Sequence, residues 1–179
     1  TSSEAMQFRV GYEKTLKKFE YIPQPKIVTV NLHVELYPTE RKYIAEGYYV
    51  LKNTNTTAIN EVHVQKLIEE DVTIEYITFE GGATANTAYS KYDYSIHELK
   101  TPLQPGDSIK MSFKQVFATK GFTASGSNSN IVENGTFFNN KDFITIGYNR
   151  KYELRDNDDR KEYQLPKRGN KASREDKRE

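Results

Sequence analysis

Three histidines are the residues best placed by type to do acid–base or metal chemistry: His33, His63 and His97. A neutral imidazole can carry a proton near neutral pH or ligate zinc, but metal sites gather ligands at short, regular spacings such as H-x-x-x-H or H-x-H. None of the three has such a partner, and each falls in a stretch of alternating apolar and polar residues. They read as histidines on the wet faces of strands. There is no Cys, which excludes thiolate ligands, disulfides and a cysteine nucleophile. No phosphate-cradling glycine loop occurs, and no G-x-S-x-G elbow. Thr123 and Ser127 stand where an elbow around Ser125 would need glycines. The acidic run Asp156-Asn157-Asp158-Asp159 lacks the glycine and the distal Glu of a calcium loop and reads as a solvated charged loop. Two sequons, Asn55-Thr56-Thr57 and Asn134-Gly135-Thr136, matter only for a chain that passes through a eukaryotic secretory route. The aromatic stretch Phe137-Phe138-Asn139-Asn140 offers docking or ligand contacts at Phe137, Phe138 and Asn139, although such aromatics more often close the end of a sandwich.

The whole-chain balance narrows the partner classes. With 26 basic and 25 acidic side chains the net charge is +1, so there is no one-signed footprint for nucleic acid. No stretch approaches the roughly 18 apolar residues of a membrane span, so no direct membrane insertion is expected. The chain opens at Thr1, and its native start is expected to have been removed. Thirteen Tyr and nine Phe, with no Trp, suit the half-buried faces of a sheet.

The periodicity changes at a proline pair. Phe8, Tyr12, Leu16 and Phe19 make a narrow helical stripe over residues 1–20, which Pro23-Gln24-Pro25 ends. Val28, Val30, Leu32, Val34 and Leu36 then alternate with Thr29, Asn31, His33 and Glu35, which predicts a strand with one buried face and one wet face. A returning strand is expected over Tyr43–Leu51 with a bulge at Gly47, followed by strands at Ile59–Lys66, Val72–Phe79, Tyr92–Leu99 and Ser108–Ala118. The expected fold is mainly β: an antiparallel sandwich or saddle-like pair of sheets over 21–149, a short N-terminal helix over 1–20, and a polar C-terminal tail or linker over 150–179. In that tail 19 of 30 residues are charged. Its few apolar residues are too sparse to offset the entropy of ordering, so it is expected to be mobile unless a following domain covers it.

Several stretches together resemble the aminopeptidase N-like zinc metallopeptidases. Val30-Asn31-Leu32-His33-Val34-Glu35-Leu36-Tyr37-Pro38 with Tyr43 to Leu51 is similar to that family's opening hairpin, and Ile59–Val64 to its next strand. Leu103-Gln104-Pro105-Gly106-Asp107 looks like its L-x-x-G-D strand opening, and Lys120-Gly121-Phe122 like its exit. Tyr21–Ile27, Asn134–Asn140 and Asp158–Tyr163 are similar to a bacterial subgroup in which the peptidase-like part follows an ABC-transporter-type permease region.

The resemblance implies a saddle-shaped, non-catalytic N-terminal domain that packs on and caps the active-site cleft and is inactive alone. Zinc, the H-E-x-x-H motif and the amine-binding segment would lie in a downstream catalytic domain, which is the expected partner. No cofactor is expected on this chain, and no catalytic or metal-ligating residue can be carried over. Some family members contribute one substrate-contacting acid or amide near the end of this domain. Glu133 is the candidate, with peptide as the substrate. An extracytoplasmic, membrane-anchored bacterial parent follows from the same resemblance. The competing reading is an independent β-sandwich module that binds carbohydrate or protein.

Overall fold

The computed structural model describes residues 2–68, 71–119, 131–132, 135–136 and 142–169. The described residues within Tyr21–Tyr148 form one compact unit, and those within Thr1–Glu20 and Asn149–Glu179 form another.

The larger unit is the expected antiparallel sandwich. Its strands are β1 (Lys26–Tyr37), β2 (Lys42–Lys52), β3 (Ile59–Gln65), β4 (Val72–Phe79), β5 (Ala83–Asn86), β6 (Tyr94–Leu103), β7 (Ser108–Ala118) and β10 (Thr145–Ile146). Two more, β8 (Ile131–Val132) and β9 (Gly135–Thr136), pair as a separate ribbon. One sheet runs β1-β2-β7-β4 and the other β10-β3-β6-β5. Alternation sets the two inner faces. Ile109, Met111, Phe113 and Phe117 of β7 lie beside Tyr43, Ala45, Tyr49 and Leu51 of β2, and this layer shares one core with Val62 and Val64 of β3 and Leu99 and Leu103 of β6. Tyr43 stacks on Phe117 at 5.2 Å, and Tyr49 meets Phe113 edge-on at 4.9 Å.

The connections β2–β3 and β6–β7 both pass from one sheet to the other, and Asn53 ties them together. It is fully buried. Its Nδ2 donates to the carbonyls of Thr57 (2.9 Å) and Leu103 (2.8 Å). Its own N–H reaches the carbonyl of Asp107, and its carbonyl accepts from Gly106. Gly106 occupies the left-handed region that this turn needs.

Gly47 has a different role from the expected bulge. Both ladders run through it in regular register, opposite Leu32 and Phe113. A Cβ there would lie 2.0 Å from the carbonyl oxygen of Asn31, so glycine is required by the close approach of the β1 backbone. The bulge in this hairpin lies instead at Ile27–Thr29.

The smaller unit corrects the expectation of a mobile tail over 150–179 in its described part, residues 150–169. Its helix α1 (Ser2–Leu16) buries Tyr12 and Leu16 as the stripe predicts. The same helix buries Glu13, which apolar periodicity does not reveal. The partner of Glu13 is Arg160 in the short helix α2 (Asn157–Glu162). Arg160 Nη1 and Nη2 donate to the two Glu13 oxygens at 2.9 and 2.7 Å. Its remaining donors reach the carbonyls of Leu154 and Pro166. Lys17 Nζ lies 2.6 Å from the buried Glu153 carboxylate, and Arg9 donates to the carbonyls of Lys151 and Glu153. Paired charges and backbone hydrogen bonds therefore order this segment where apolar side chains are too few. The acidic run is likewise not a loop, because Asp156 caps α2 by accepting from the N–H groups of Asp158 and Asp159.

Removing one member of the Glu13–Arg160 pair leaves the other buried and uncompensated, which costs about 3–5 kcal/mol. Arg160→Met is expected to strip hydrogen-exchange protection from the amides of α1 while the amides of β2 and β7 keep theirs, and Glu13→Leu combined with Arg160→Met restores most of it. Unchanged protection of α1 in Arg160→Met would refute this account of the smaller unit.

Candidate functional site

Five of the seven large hydrophobic residues exposed among the described residues, Ile27, Val28, Val30, Leu36 and Tyr37, lie on β1. The inward parity of the strand is as the alternation predicts: Val30, Leu32, Val34 and Leu36 stand opposite Tyr49, Gly47, Ala45 and Tyr43 on the core side of β2. The expected burial of that face is not found. Leu32 and Val34 are half-buried against the core, whereas Val30 is 55% exposed, Leu36 41% and Val28, at the bulge, 51%. The physical reason is a mismatch of lengths. β1 is 12 residues long, but β10, the edge strand of the other sheet, has only 2. The second layer stops short, and the end of β1 overhangs it.

Between them is a cleft of about 220 Å³ lined by Ile27, Val28, Thr29, Val30, Tyr49 and Phe143. The Tyr49 hydroxyl donates to the carbonyl of Ile144 at 2.9 Å, so it is engaged in the fold rather than aimed into the cleft. The lining side chains that remain are apolar but for Thr29, although close to half of the wall itself is polar. A site for a sugar or another polar small molecule needs several convergent polar groups. A wall of this kind suits protein contact. β1 is also the terminal strand of its sheet, so the backbone groups on its outer side meet no strand among the described residues.

The histidines are distributed differently from expectation. His33 is on the wet face, with Nε2 3.5 Å from the Glu35 carboxylate. His63 and His97 are buried, which corrects the reading of all three as wet-face residues. His63 Nδ1 lies 2.7 Å from the Tyr94 hydroxyl and Nε2 2.9 Å from Glu61 Oε1. His97 stands opposite Val62 in the β3–β6 ladder, so it points inward, with Nε2 2.8 Å from Ser95 Oγ and its ring 5.1 Å from Phe79. Burial pushes the His97 imidazole down to about 4, helped by the charge of Lys66. Burial also lowers the His63 pKa, with Glu61 opposing the shift. Both are neutral hydrogen-bonding core groups at neutral pH. Among the described residues no three His, Asp or Glu side chains converge as a metal site.

Glu133, Phe137, Phe138 and Asn139 lie outside the described residues. Of the sequons, Asn55 has its side-chain Nδ2 donated to the carbonyl of Gln24 at 3.1 Å. The β1 overhang was missed from sequence because strand alternation reports which face is apolar and not whether a second layer covers it.

No protein-family model matches the chain, and no curated protein does. Among solved structures it is similar to a crystal structure of a two-domain M1 zinc metallopeptidase, a Glu-to-Ala mutant bound to the amino acid L-tryptophan. The identity is 11% and the TM-score 0.42, over 55% of this chain and 22% of that one. This chain thus spans about a fifth of that protein's length. At that score the match is a faint likeness of fold and carries nothing about chemistry. Among the described residues no helix is long and apolar enough to cross a membrane.

The buried histidines predict an acid-side loss of stability. Unfolded histidine titrates near 6.5, and native His97 only near 4. The contribution is therefore fully present above about pH 7. It is lost as the pH falls from about 6.5 toward 4, because the unfolded chain takes up a proton that the native one refuses. The full loss for His97 is up to about 3 kcal/mol. Urea unfolding between pH 7.5 and 5 is expected to show the decline, and His97→Gln to flatten it. Equal slopes in the two proteins would remove His97 as the cause.

Proposed function

We propose that this chain is the non-catalytic β domain of an aminopeptidase N-like metallopeptidase polypeptide, which packs on and caps the cleft of a zinc-bearing catalytic domain downstream and is inactive alone. The observation that carries the non-catalytic part is the engagement of its chemistry-capable buried groups in structure. His63 is bonded to Tyr94 and Glu61, His97 to Ser95, Glu13 to Arg160, and Glu153 to Lys17. A general base or ligand must instead present a free position to substrate or metal. The capping role and the extracytoplasmic, permease-linked parent rest on the sequence resemblance. The shortage of free polar side chains in the cleft along β1, where Thr29 is the one left beside the engaged Tyr49 hydroxyl, favours a protein surface over a carbohydrate as the kind of partner.

The test pairs this chain with the separately produced segment of the same polypeptide that carries H-E-x-x-H. The expected outcome is no hydrolysis of aminoacyl anilides by this chain, a stable complex of the two pieces, and a changed KM for peptide on mixing. Hydrolysis by this chain alone, or no complex, would reject the proposal.

A further inference from the structure

We infer that β1 is a homotypic interface, through which two copies of this chain join edge to edge into one continuous sheet. The strand is self-complementary about Leu32. Laid antiparallel on a second copy with the two-fold axis at that residue, Leu32 opposes itself and Val30 opposes Val34, all on the core-side face. Leu36 of each copy then reaches Val28 and Ile27 of the other. One end of β1 carries the cleft lined by Ile27, Val28 and Val30, and the other end carries the exposed Leu36. A two-fold axis brings each projection onto the other copy's cleft, as an isologous contact requires.

The polar face tolerates the same register. Asn31 opposes His33 and Thr29 opposes Glu35, so no like charges are directly paired. At the rims, Lys26 at the start of one strand runs toward the turn that follows the other, where Glu40 is flanked by Arg41 and Lys42, so the rim charges are mixed. From Ile27 to Leu32 the strand has neither proline nor charge, the usual devices that keep an edge from pairing. Pairing would satisfy the outward backbone groups and cover four exposed aliphatic residues in each copy, Ile27, Val28, Val30 and Leu36. This inference and the capping proposal draw on the same β1 surface, and the experiment below separates them.

Sedimentation equilibrium of the full chain is expected to show a reversible monomer–dimer equilibrium. Val30→Lys, at an exposed position, is expected to weaken it at least tenfold with an unchanged circular-dichroism spectrum. Because the chain has no Cys, introduced thiols report the register. Under mild oxidation Leu32→Cys links to itself. Val30→Cys alone links poorly and pairs instead with Val34→Cys in a mixture. A chain monomeric at every concentration, a dimer indifferent to Val30→Lys, or crosslinks in another register would overturn the inference. If β1 is occupied by the downstream domain instead, the chain alone stays monomeric and Val30→Lys abolishes binding to that domain. The capping proposal then survives and this inference fails.

Discussion

Asn53 ties together two of the places where the chain crosses between the sheets, the β2–β3 and β6–β7 connections, and that tie helps set the two layers of the larger unit face to face. One buried amide satisfies a carbonyl from each crossing, and its backbone groups complete the turn at Gly106. An amide in a buried position is costly unless fully bonded, so the arrangement specifies one geometry. With the crossings joined, β2 and β7 are set face to face with β3 and β6, and Tyr43, Tyr49, Phe113 and Phe117 fill the layer between. β1 then follows β2 by register, up to the close contact that only Gly47 permits.

The consequence is an asymmetry between the two sheets at one edge. β1 continues for 12 residues beside β2, while among the described residues the edge strand of the opposite layer is Thr145–Ile146. The core-side face of β1 leaves its cover along its length, from the half-buried Leu32 and Val34 to the exposed Val30 and Leu36. The interior has the opposite character. Its polar groups, His63, His97, Gln115 and Asn53, are bonded within the fold. These buried polar side chains are used within the fold, while β1 leaves an aliphatic edge exposed.

The sheet architecture was legible because period-2 alternation is a strong signal and turn residues such as Pro105-Gly106-Asp107 punctuate it. The α1 stripe was legible for the same reason at helical period. The role of Asn53 was not, since a run of Asn and Thr looks like any surface turn until the two crossings meet across 50 residues of sequence. Glu13 and Arg160 are 147 apart, and a charge pair at that separation leaves no local pattern. The sequence also misdirects at His63 and His97. Alternation assigns a strand residue to a face, but a face is wet only if nothing covers it. The same limit applied in reverse to Val28, Val30 and Leu36, apolar and expected inside, which the short β10 leaves in solvent.

The central claim is that the outer edge of β1 is open in the single chain and closed by a second copy. Amide exchange along β1 at several protein concentrations tests it most directly. In dilute solution the amides directed at β2 are expected to be protected and the alternate ones, directed outward, to exchange freely. Raising the concentration is expected to protect the outward set while leaving the amides of β7 unchanged. Uniform protection along β1 at high dilution, or an outward set that exchanges freely at every concentration, would contradict it.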